Sequence, residues 1–174
     1  MDTRFTTHSL SSMRSFGMAG AVLFLWGAFS TLGAQQPPAI REKGTPQHLV
    51  VIDPTRPLVF PEQPWTLVAP NPLGPTITVW SLEPFQSLSD PKSRVDAALD
   101  LSIRGRGRKS DWDIIIPHDR TSFSHGRTTA QVAAGSLGGN GEAGITVTFL
   151  GHEQPFLAAG EYEATVIGTI TEGF

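Results

Sequence analysis

Twelve residues near the end of the chain, Gly160-Glu-Tyr-Glu-Ala-Thr-Val-Ile-Gly-Thr-Ile-Thr171, alternate between two kinds of position. Tyr162, Ala164, Val166, Gly168 and Ile170 fall on one side, and Glu161, Glu163, Thr165, Ile167, Thr169 and Thr171 on the other. Successive side chains of a strand point to opposite faces, so this pattern predicts a half-buried β-strand with one wet face, launched from a turn at Gly160. Val95-Asp-Ala-Ala-Leu-Asp-Leu-Ser-Ile103 repeats the period, with Val95, Ala97, Leu99, Leu101 and Ile103 inward and Asp96, Ala98, Asp100 and Ser102 outward. A helix from Ser93 competes on propensity, but the unbroken period of two favours a strand.

Two further strands follow from the same rule. Asp111–Pro117 has Trp112, Ile114 and Ile116 as its inward set, and in Ile145–Leu150 the inward set is Ile145, Val147 and Phe149. Between Ala134 and the latter strand, Ser136–Gly144 reads as a long Gly-rich connection. Prolines at 54, 57, 61, 64, 70, 72, 75 and 84 divide the earlier chain into β-prone pieces, Leu58–Phe60, Trp65–Val68 and Thr76–Leu82. Proline cannot donate to a ladder, so these pieces are edge strands, bulged strands or strand entries. With 18 Gly, 14 Pro and only 17% charged residues, the composition fits frequent turns between short strands. The expectation is all-β: an Ig-like or Greek-key β-sandwich of about seven to nine short strands, with a small barrel as the alternative.

The first 34 residues read as a secretory signal peptide. Arg4 and Arg14 precede an uncharged apolar run of 14 residues, Phe16–Phe29, and the small-residue segment Ser30–Ala34 follows. The run is short for a membrane span, which needs roughly 20 apolar residues. Cleavage near Ala34 takes away two positive charges and one negative, leaving a mature chain near −4 from a total of −3. Residues 35–47, with Pro37, Pro38, Pro46 and the Arg41-Glu42-Lys43 cluster, read as a flexible arm, and 48–174 as the sandwich domain. The expected location is exported: periplasmic, cell surface or extracellular. The chain has no cysteine, which excludes disulfides, thiolate catalysis and Cys-based zinc sites together.

The C-terminal third carries a Gly-rich turn, the Thr/Val strand Ile145–Leu150 and then Leu-Ala-Ala-Gly-x-Tyr-x-x-Thr-Val over Leu157–Val166. This resembles the ends of secreted bacterial fimbrial and spore-coat-U-type domains, over Val95–Thr171. The resemblance implies an Ig-like sandwich without catalysis, a surface or pilus subunit made with a periplasmic chaperone. It also implies an N-terminal arm that pairs into a neighbour's groove by strand addition. The chain departs from that pattern in having no cysteine pair and in ending Thr171-Glu-Gly-Phe174.

Candidate chemistry is sparse. Pro117–Arg127 gathers His118, Asp119, Ser122, Ser124 and His125, enough on paper for a metal site or a Ser-His-Asp triad. The spacing matches no ligand motif, no Gly-x-Ser-x-Gly elbow exists, and polar loops collect such residues without any site. Asp111 and Asp113 share a strand face and would suit calcium, but two carboxylates are too few. Arg104, Arg106, Arg108 and Lys109, in Arg104-Gly-Arg-Gly-Arg-Lys109, form the densest charge in the chain. They read as a basic loop for an acidic polysaccharide or as a solvated hairpin neutralised by Asp111 and Asp113. Trp65 and Trp80 become a glycan or partner surface if they are exposed beside Phe85. No cofactor is expected, and the net negative charge argues against a nucleic-acid partner.

These readings converge on a non-enzymatic exported protein acting by binding or assembly, fimbrial or surface-associated. A monomeric secreted module for polysaccharide or protein is the alternative, and a secreted hydrolase stands third.

Overall fold

In the computed structural model, residues 2–8, 38–44, 47–50, 56–69, 75–106, 111–154, 157 and 160–172 are described. Their elements, in chain order, begin with strands β1 (Asp2–His8), β2 (Ala39–Glu42), β3 (His48–Val50) and β4 (Leu58–Val59). Next come β5 (Gln63–Ala69), β6 (Thr76–Leu82), β7 (Phe85–Ser87), β8 (Arg94–Val95) and β9 (Ala97–Arg106). The series ends with β10 (Trp112–Ile116), β11 (His118–Arg120), β12 (Ala130–Ser136), β13 (Gly139–Phe149) and β14 (Tyr162–Glu172). Helix is confined to two single 3-10 turns, Phe123–His125 and Gly151–Glu153. The apolar run 16–29, the segment 30–34 and the proposed cleavage point lie outside the described residues.

The fold is all-β, in two sheets. One runs β10-β12-β6-β14-β1-β3, with β7 and β8 attached beside β14; the other runs β11-β9-β13-β5-β2, with β4 beside β13. Every named pairing is antiparallel except β1 on β14. The sheets share one core. Trp65 of one sheet meets Trp80 of the other edge to face, ring centroids 6.4 Å apart, and Phe85 meets Phe149 at 5.1 Å. Such crossed aromatic contacts add to the area they bury.

β14 buries Tyr162, Ala164, Val166 and Gly168 and turns Ile167, Thr169 and Thr171 outward, as its alternation requires. Glycine at 168 is a packing requirement. A Cβ there would stand 3.0 Å from Ile40 Cδ1, 3.0 Å from Trp65 Cζ3 and 3.1 Å from Trp80 Nε1.

Four expectations change. The strand expected over Val95–Ile103 breaks at Asp96: Val95 pairs with Phe85 in the first sheet, whereas Ala97 onward belongs to the second. Asp96, expected on a wet face, is 8% exposed. Its Oδ1 accepts from Thr121 Oγ1 at 2.9 Å and from the Phe123 backbone N–H at 2.8 Å, which compensates the lost hydration of the carboxylate. Of the inward set expected for Asp111–Pro117, only Trp112 is buried; Ile114 and Ile116 are 41% and 39% exposed. β10 is the outermost strand of its sheet and its register slips between Ile114 and Ile116, a bulge that breaks the alternation.

The Gly-rich segment after Ser136 is mostly strand. The reversal takes only Leu137 and Gly138, and β13 then runs from Gly139. Gly138 and Gly139 adopt φ of 143° and 95°, which glycine alone accepts readily. At Gly141 a Cβ would lie 2.9 Å from Trp112 Cδ1, so the glycine leaves room for the indole, whose Nε1–H donates to the Gly139 carbonyl at 3.2 Å. Finally, part of the segment read as a flexible arm is structured. Ala39–Glu42 pairs with Trp65–Val68 as the outer strand of the second sheet.

Candidate functional site

β14 has two backbone edges, and they differ. Along one, Val166–Glu172 pairs with β6, and Tyr162–Glu163 continues on β7 after a one-residue offset at Glu83-Pro84. The Leu88 N–H extends this ladder to the Glu161 carbonyl at 2.9 Å. Along the other edge, Glu163–Ile167 pairs in parallel with Arg4–His8, and Asp2–Arg4 pairs in turn with His48–Val50. A segment from the start of the chain therefore sits between β14 and β3 and supplies the backbone partners of both. On the other side of β14, toward β7, lies an open groove of about 560 Å³, lined in part by Glu83, Pro84, Gln86, Leu88, Glu163 and Ile167.

The strand is not expected from the sequence, because a charged start before an apolar run reads as a leader. Thr3, Phe5, Thr6 and Thr7 nonetheless carry the β-branched and aromatic character that favours strands.

The residues singled out from the sequence are dispersed. Trp65 and Trp80 are core residues, 1% and 0% exposed, and Phe85 is fully buried. Their indoles fill the space between the sheets, so neither is available to a glycan or a partner. Arg104 lies on β9 rather than in a loop, its guanidinium 3.1 Å from Glu62 and 3.9 Å from Glu142. The backbone of Arg106 pairs with Asn140. Arg108 and Lys109 lie outside the described residues.

The polar connection after β10 is likewise held by local structure. Asp119 is bound by the Arg127 guanidinium and accepts from the Gln131 N–H at 2.9 Å. His125 Nδ1 lies 2.9 Å from Ser122 Oγ and 3.1 Å from Ser124 Oγ. The carboxylate is thus engaged away from the imidazole, and the third member of a triad is not aligned with the other two. Among the described residues, no group of three His, Cys, Asp or Glu side chains is placed to hold a metal ion.

Comparison with known proteins finds no matching family model, no matching curated protein and no matching solved structure.

Proposed function

We propose that this chain is an exported, surface-associated or fimbrial-type structural protein that acts by assembly. In this reading it is an Ig-like, Greek-key sandwich that accepts an extended strand between β14 and β3. The observation that carries the reading is the placement of Asp2–His8 between those two strands. That segment belongs to the residues read as a cleaved leader. Its removal leaves two unpaired strand edges one strand-width apart, and an extended segment from a neighbouring copy satisfies both at once. A periplasmic chaperone strand would hold the same place before assembly.

The secreted binding module gains less support, since Arg104 is engaged by two carboxylates and both tryptophans are buried.

A labelled peptide of residues 2–8, added to a chain comprising residues 35–174, is expected to bind and raise its fluorescence anisotropy. The same peptide carrying Phe5→Pro, which removes a ladder donor, is expected not to bind. Equal behaviour of the two peptides would contradict strand addition.

A further inference from the structure

A small cavity lies between the sheets where β1 joins β14 to β3. Gln47, immediately before β3, and Val166 of β14 both line it, and β1 pairs between those two strands. Its floor comes from the second sheet, from Gln63 and Trp65 of β5 and Ile145 and Val147 of β13. The space open to the centre of a water molecule is about 10 Å³, enough for one molecule.

Two residues of this lining carry a buried polar atom with no hydrogen-bond partner among the described residues, Gln47 Oε1 and Trp65 Nε1. The two are chemically complementary, since an indole N–H only donates and an amide oxygen only accepts. Neither has a partner, so they are not bonded to each other. A buried donor or acceptor left unpaired gives up its hydration without return, and native interiors pair nearly all such groups with protein or with ordered water.

We propose that this cavity binds one structural water, which accepts from the Trp65 indole N–H and donates to the Gln47 side-chain oxygen. A cavity lined by apolar atoms alone stays dry, whereas one that presents a donor and an acceptor supplies two of the roughly two to four bonds a buried water makes. The bridge ties the lead into β3 to a core residue of the facing sheet. It lies on the core side of the position that β1 takes between β3 and β14. Trp80 Nε1 is also buried without a partner among the described residues, but Trp80 does not line this cavity and provides an internal control. The water belongs to the full chain and does not depend on strand addition.

Nuclear Overhauser spectroscopy of the isotope-labelled full-length chain tests this at the indole N–H groups. A water held longer than the protein tumbles gives laboratory-frame and rotating-frame cross peaks of opposite sign, whereas proton exchange gives the same sign in both. No described residue of the lining carries a hydroxyl that would relay exchange. The Trp65 Nε1–H is expected to show the opposite-signed pair to water, and the Trp80 Nε1–H no such pair. Gln47→Met, similar in length but without the amide oxygen, is expected to lose the Trp65 pair while keeping the circular dichroism spectrum. Absence of the pair in the parent chain, or its persistence at full intensity in folded Gln47→Met, would overturn the proposal. The parent spectrum alone decides the matter if that variant does not fold.

Discussion

Trp80→Ala is expected to remove a large share of the stability and to bring the urea midpoint far down. Trp80 is fully buried and bridges the two sheets through its edge-to-face contact with Trp65. Removing a buried Trp side chain costs about 3–5 kcal/mol, and a whole domain is stable by only about 5–15 kcal/mol. The chain has no disulfide to restrain the unfolded state. Trp80→Phe separates packing from hydrogen bonding. The Trp80 Nε1 has no hydrogen-bond partner among the described residues, so phenylalanine gives up volume and no bond within that set. Urea unfolding is expected to rank the parent above Trp80→Phe and both well above Trp80→Ala. A Trp80→Ala variant with the parental midpoint would mean that the sheets do not pack through this contact.

The second large effect concerns β1. A chain lacking residues 1–34 loses the parallel partner of Glu163–Ile167 and the antiparallel partner of His48–Val50 in one step. Unpaired backbone groups at a sheet edge turn to water or to another chain, and the elements that held them loosen. In hydrogen exchange, the amides of residues 48–50 and 163–167 whose N–H groups face β1 are expected to lose protection, while those of β14 that face β6 and β7 are affected less. Those of β13, paired on both sides by β9 and β5, keep theirs. Uniform protection before and after the deletion would mean that β1 contributes nothing to the sheet.

Legibility in the sequence followed the environment of each strand. β14 and the apolar half of β13 were readable because one face of each meets the core and the other water, the condition under which a period of two appears. β10 misled because an edge strand with a bulge need not bury alternate residues, so Ile114 and Ile116 are apolar without being buried. Asp96 misled for the opposite reason. Its burial depends on Thr121 and Phe123, which are distant in sequence and come close only where the chain passes between sheets. Trp65 was ambiguous because Pro64 precedes it; the proline is accommodated while the strand buries Gln63, Trp65, Leu67 and Ala69 on alternate positions. The candidate site was the least legible part. It is made of backbone edges rather than reactive side chains, and pairing between residues 4–8 and 163–167 leaves no local pattern in either segment.

The solution mass of a chain comprising residues 35–174, measured with and without added peptide of residues 2–8, tests the central claim most directly. Strand addition between β14 and β3 predicts a ladder of multiples or filaments without the peptide and collapse of that ladder when the peptide caps the edge. Identical mass distributions with and without the peptide, in a chain that is monomeric and fully folded, would contradict it.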